Sequence, residues 1–470
     1  MAAFKHGVYS QELGTKVIPP VRVDASLPFV VGKAALHNAT EPAEAYTPYL
    51  IHTYEEAMKL FGKDTDKNGL HDFFYAYFVL YGLSPVVAVT VSDVKKTKPQ
   101  TDQPVIFEGN PAKARILDQV LLKGFTLKKD ETPLTENQDY VIYYDDDGSF
   151  VVELTGEASG TYKATYSILD NSSVDAAAYV KAIGCVEEVF PRFGLVPGLL
   201  LTSDVISDDN LPTVAAALDT KARSINGLFQ AMALVDFNPE EFSKALEWKK
   251  KGNVFSPYQV ACVGATNLGN RQFPLSAQIA GAIGVADKKA EDIPFWSPSN
   301  TPVKVSSLVF NNKEFFPTLE QANYLNSQGM VTALNWVGGW RAWGNRTAAY
   351  PANTDPKDCF IPVRRMFNWV SNTLILTFWQ KVDNPMNRRL VETVIDSANI
   401  WLNSLVARGA LIGANVRFIA EENPVTDLMD GIIRFHVSIT PPAPAEAIHF
   451  VMEYDTKALE AFANQLGGDA

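Results

Sequence analysis

Histidine and cysteine are scarce in this chain, at six and three among 470 residues. Cys185, Cys262 and Cys359 stand far apart, with no CxxC pair and no histidine at metal-ligating spacing. That excludes a disulfide framework and a zinc ribbon, and predicts reduced, buried thiols. His6, His37, His52, His71, His436 and His449 fall in no nucleophile-base signature, and GxSxG, HExxH, Walker and strand-GxGxxG motifs are all missing. Neither a catalytic residue nor a cofactor or metal site is expected. Asp64-Thr65-Asp66-Lys67-Asn68-Gly69 opens like a calcium loop, but Tyr75 stands where the twelfth-position carboxylate belongs, so it reads as an Asx-rich turn.

Basic charge is also short. Lysine and arginine total 41 against 53 acidic residues, a net charge of -12, which argues against nucleic acid or an anionic membrane surface as main partner. No run of about 18 apolar residues occurs, so no membrane insertion is expected, and residues 1–7 lack the apolar stretch of a signal peptide. Synthesis in the cytosol is the expectation.

What is present is a globular balance, 47% hydrophobic and 20% charged, over a length that suggests two to four domains. Residues 1–25 carry few apolar anchors, bury too little to fold alone and read as an extended linking arm. From residue 26 strands and helices alternate: strand 28–32, helices 54–62 and 70–80, strand 85–91. A Lys, Thr and Pro-rich shift at 92–102 then opens a run of short strands at 119–127, 140–144, 150–154 and 161–167. Alternation resumes with helix 174–184, strand 198–202, helix 211–225, strand 229–236, helix 242–251, strand 259–263 and helix 274–285. After an irregular stretch come helix 315–328 and strand 330–336. The fold class is therefore α/β: a discontinuous layered core (26–91 and 174–345), a β-sandwich-like insertion (92–173), an α+β C-terminal domain (346–440) and a C-terminal strand and tail (441–470).

The last third is the most distinctive. Trp336-Val337-Gly338-Gly339-Trp340-Arg341-Ala342-Trp343-Gly344 sets large rings beside glycines, an aromatic corner expected to pack and to make cation-π contacts with Arg341 and Arg346. A helix at 366–380 follows. Asn384 as N-cap and Pro385 at the first position then predict a long helix, apolar at Leu390, Val391, Val394, Ile395, Ala398, Leu402, Leu405 and Val406, ending at Gly409. Residues 431–439 and 447–454 alternate as strands, separated by Pro441-Pro442-Ala443-Pro444, which cannot continue a central strand.

Trp343-Gly344-Asn345-Arg346-Thr347, Arg408-Gly409-Ala410-Leu411 and Pro441-Pro442-Ala443-Pro444-Ala445-Glu446 resemble the contractile tail sheath proteins of myovirus-type phages and R-type tailocins. Gly7-Val8-Tyr9, Leu275-Ser276-Ala277-Gln278-Ile279-Ala280-Gly281 and Ser299-Asn300-Thr301-Pro302 add to the resemblance, which covers all but the insertion. It implies a structural subunit in stacked hexameric rings around an inner tail tube protein, ending at baseplate and tail terminator proteins. The particle would be assembled in the host bacterial cytoplasm and reside in a virion tail or tailocin. The competing reading is an α/β hydrolase, which explains only the alternation. The segments expected to link subunits by strand addition carry Gly7, Val8, Tyr9, Leu13, Val17 and Ile18 at one end, and Ile433, Phe435, Val437, Ile439, Ile448, Phe450 and Met452 at the other.

Overall fold

The computed structural model describes residues 18–21, 23–63, 69–204 and 206–467. Strand β1 (Pro28–Gly32) is buried on both faces, as a strand covered by helices on either side must be. After β2 (Tyr49–Ile51), helix α1 (Tyr54–Phe61) begins where the Thr53 side chain accepts from the Glu56 N–H. It stops at Gly62, whose φ is +74° and where a Cβ would lie 2.1 Å from the Ala35 carbonyl oxygen, so only glycine fits. The expected 70–80 helix is α only over α2 (Leu70–Phe74) and continues as a π turn through Tyr75–Leu80. β3 (Val86–Thr90) is again fully buried.

Seven strands follow: β4 (Thr97–Val105), β5 (Lys113–Ile116), β6 (Thr126–Lys129), β7 (Thr132–Pro133), β8 (Tyr140–Tyr144), β9 (Phe150–Leu154) and β10 (Tyr162–Leu169). They form two sheets, β4-β10-β6-β7 and β5-β9-β8, around a separate hydrophobic cluster that includes Phe125, Tyr140, Phe150 and Tyr166. Two expectations change here. The Lys- and Pro-rich stretch after residue 96 is a strand, tolerated because β4 lies at a sheet edge where Pro99 and Pro104 need not donate. The expected 119–127 strand is broken by a turn at Gly124, φ +88°, leaving an isolated bridge at Val120 and the separate β6.

Helices α3 (Ala176–Gly184) and α4 (Val189–Phe193) lead back to β11 (Leu199–Thr202), α5 (Leu211–Arg223) and β12 (Met232–Phe237). β12 starts later than expected because Phe229 closes a tight turn with Ile225. Next come α6 (Ala245–Lys251) and β13 (Gln259–Val263), then the hairpin β14 (Ala265–Leu268) and β15 (Arg271–Pro274). α7 (Leu275–Lys289) is buried nearly all round. A Cβ on Gly281 would lie 2.3 Å from the Tyr81 ring, so the glycine is a packing requirement. β16 (Ser307–Phe310) and β17 (Lys313–Phe315) precede α8 (Leu319–Ser327), whose capping box of Thr318 and Gln321 fixes its start and corrects the expected 315–328 helix. Strands β18 (Met330–Trp336) and β19 (Gly339–Trp343) form a hairpin.

One sheet of order β19-β18-β13-β12-β11-β1-β3-β2 unites these pieces, parallel from β18 to β3 with antiparallel edges at β19 and β2. After the short α9 (Pro356–Cys359), α10 (Ile361–Phe378) and α11 (Arg388–Ala407) pack into the same hydrophobic cluster as the sheet, through residues such as Met366, Val370, Leu402 and Leu405. The N-cap of α11 is Asn387, whose side chain accepts from the Leu390 N–H, rather than Asn384. β20 (Gly413–Arg417), α12 (Val425–Met429), β21 (His436–Thr440) and α13 (Thr456–Gly467) complete the chain.

Candidate assembly interface

The long helix α11 turns Val394, Ala398, Leu402 and Leu405 inward at helical spacing, and the β20-β21 ribbon lies against it. The ribbon has two strands only, in register from Gly413↔Thr440 to Arg417↔His436. Its two edges differ. At Val416 the outer edge of β20 is occupied by the Asn399 amide, which accepts from the Val416 N–H at 2.8 Å and donates to its carbonyl at 2.9 Å. Among the described residues no strand and no side chain pairs with the outer edge of β21. Val437 and Ile439 lie in β21 and are half-buried; Phe435 and Ile433 are half-buried but precede it, so the expected 431–439 strand is shorter.

The N-terminal candidates Gly7, Val8, Tyr9, Leu13 and Val17 lie outside the described residues, as do residues 64–68 of the calcium-like turn. Ile18 is described, and its N–H donates to Ser397 Oγ on α11 at 3.2 Å. From there the chain crosses α10: the Val21 N–H donates to Thr377 Oγ1, Trp369 Nε1 donates to the Val23 carbonyl, and Arg365 donates to that of Ala25. Ile18, Val21, Val23 and Ala25 are thus fastened at home on α10 and α11.

At the other end, among the described residues the expected 447–454 strand is not formed, since no neighbouring strand completes its ladder. Ile448, Phe450 and Met452 are 72%, 88% and 93% exposed. Among the described residues, 441–455 is tied to the rest by side-chain hydrogen bonds at one place. There Arg346 Nε donates to Glu446 Oε1 at 2.9 Å and Arg346 Nη2 donates to Glu446 Oε2. Helix α13 follows where sequence reasoning expected only a tail.

In the aromatic hairpin, Trp336 is exposed, Trp340 packs against Phe316, and Trp343 Nε1 donates to Asn323 Oδ1 at 2.9 Å. The expected cation-π contacts go to other rings: the Arg346 guanidinium lies 3.9 Å from the Phe360 centroid and 4.5 Å from that of Tyr350. Arg341 instead donates to the Val337 and Asn300 carbonyls.

Several buried polar groups in the core are committed to hydrogen bonds within the fold. At the ends of β11 and β12, Asp204 accepts from Tyr179 and from the Lys33 N–H, and Asp236 accepts from the N–H and hydroxyl of Ser276. Burial pushes the Asp236 carboxyl up to about 7. Neither aspartate has a histidine among its hydrogen-bond partners. The Lys249 ammonium, lowered to about 8 by burial, donates to the Gln328 and Tyr350 carbonyls and so caps the C-terminal end of α8. Cys185, Cys262 and Cys359 are free and buried, and burial pushes all three thiols up. Among the described residues no three His, Cys, Asp or Glu side chains are grouped to hold a metal, and no helix is long and apolar enough to cross a membrane.

No family model matches the chain. It is 23% identical to the tail sheath protein of Burkholderia phage BcepMu, over 97% of this chain and 98% of that protein. It is 30% identical to the major tail sheath protein of Serratia phage KSP20, over 42% of this chain and 49% of that one. Among solved structures, a chain of the anti-feeding prophage baseplate aligns with a TM-score of 0.60 at 17% identity, covering 97% of this chain and all of that one. The contracted sheath complex of PVC, an extracellular contractile injection system, aligns at 0.61 and 17% identity, with 97% and 99% covered.

Proposed function

We infer the role of this chain from its family: it is a contractile tail sheath protein, a structural subunit of a contractile tail. The observation that carries this reading is the likeness to a tail sheath protein over 97% of the chain. None of these relatives supports the hydrolase alternative. We propose that the subunits stack as hexameric rings around an inner tail tube, between a baseplate and a tail terminator, in a virion tail or tailocin assembled in the host bacterial cytoplasm. The extended lattice stores the energy and relaxes into a shorter, wider packing of the same subunits, which drives the tube through the target cell envelope. The subunit needs no catalysis of its own.

Subunits must stay joined through that change. We assign the joints to the terminal segments, from Gly7 to Ile18 and from Ile448 to Met452, which add as strands to a neighbour's C-terminal ribbon. Asn399 occupies one edge of that ribbon, so strands arrive at the β21 edge along Val437 and Ile439. Main-chain hydrogen bonds there hold while the linkers absorb rotation. Removing residues 1–17 keeps the home contacts that begin at Ile18. The truncated subunit is expected to be soluble and folded by circular dichroism yet to build no tubes under electron microscopy; normal contractile sheaths from it would refute the assignment.

A further inference from the structure

Resting on the reading that the C-terminal arm joins neighbouring subunits, we propose that Arg346 and Glu446 form a releasable latch that meters the length of that arm. The two halves of the latch are built differently. Arg346 is a fixed receptor: its side chain is 15% exposed, its Nη1 donates to Cys359 Sγ at 3.0 Å, and its guanidinium is held between the Phe360 and Tyr350 rings. Glu446 is the solvent-facing half: its side chain is 43% exposed, and water competes for the carboxylate that the guanidinium grips by its two oxygens.

Between them runs a strut. Thr440 is pinned in the ribbon opposite Gly413, and Pro441-Pro442-Ala443-Pro444-Ala445 spans the gap to Glu446. Three prolines favour an extended, stiff conformation. With both ends held, the strut's direction is set, and the free arm begins at Ala447. With Glu446 released, the strut pivots about the buried Pro441 and the arm gains the reach of five further residues, about 17 Å at full extension. A lattice that alternates between two subunit spacings needs slack of this kind in its links, and the latch makes that slack conditional.

A cleft of about 580 Å³ lies beside the latch, lined by Asn300, Asn323, Trp343, Asn345, Glu446 and Ile448, and beyond it Phe450, Val451 and Met452 are almost fully exposed. Pro441 is buried and stays with the ribbon, so the loss of the glutamate frees the arm beyond it without opening a packed core.

The test uses the full chain. Spin labels at Phe450→Cys in the arm and Glu320→Cys on exposed α8 report the arm's position in the free subunit, the native cysteines being buried. Glu446→Gln keeps the side-chain shape, and Glu446→Ala removes the acceptor altogether. Either variant should widen the distance distribution by about twofold. Assembled sheaths of the variants should contract at lower urea, with the contracted fraction at a fixed sub-threshold concentration up by about threefold. An unchanged distance distribution overturns the latch, and a widened distribution with unchanged contraction overturns its metering role. Should a chain lacking residues 447–470 still build contractile sheaths, the linking reading fails, while the spin-label result on the free subunit stands apart from it.

Discussion

Asp236 shows how a single buried residue couples this fold to pH. Its carboxyl sits at the end of a central strand and receives two hydrogen bonds from Ser276, but desolvation outweighs them and pushes it up to about 7. A carboxyl whose folded value exceeds its unfolded one holds extra protons in the native state. Its contribution to stability is full below about pH 4 and is lost as pH rises through about 7. Asp236→Asn retains the shape and the pairing with Ser276 but cannot titrate. Melting temperatures across pH 4 to 7 should therefore fall for the parent relative to the variant, and parallel curves would contradict the assignment. Nothing in the sequence marks Asp236 for this role, because its environment is made by α7, which lies far along the chain.

Among the elements, α7 and α10 are tied by a buried ion pair. Arg365 Nη1 donates to Asp287 Oδ1 at 2.9 Å and Nη2 to Oδ2 at 2.5 Å, with both side chains at most 2% exposed. Removing one partner leaves an uncompensated charge, so Arg365→Met should cost about 3–5 kcal/mol in denaturant unfolding, while adding Asp287→Leu should recover most of it. Equal losses in the single and double variants would show that packing, not charge, sets the cost. This pair also marks the limit of sequence reading. The central strands β1, β3, β12 and β13 were legible as continuous apolar runs, and α11 as an apolar stripe with an asparagine near its start. The cap fell on Asn387 rather than Asn384 because the chain first makes a short 3-10 turn at Trp379–Lys381 and a left-handed step at Asp383. The Asn399 plug on β20 and the Arg346 grip on Glu446, 100 residues apart, follow from tertiary placement and leave no local pattern.

On the scale of the whole molecule, the insertion between residues 92 and 173 has its own hydrophobic cluster and meets the core at its base, where Leu169 joins the main cluster, and through contacts that include Tyr144 Oη donating to the His37 carbonyl and Lys63 Nζ to that of Asp146. Its two connecting strands meet at the base, where the Asp170 N–H donates to the Lys96 carbonyl at 2.9 Å. We expect deletion of residues 97–169, closed by a short Gly-Ser linker, to leave a core that still unfolds cooperatively in calorimetry. Loss of the transition would show that the core depends on it. The meeting of those two strands carries a practical consequence: any protein whose termini lie about as close can be grafted at this neck. In the proposed sheath, each subunit would then become a mounting point, one foreign domain for every lattice position.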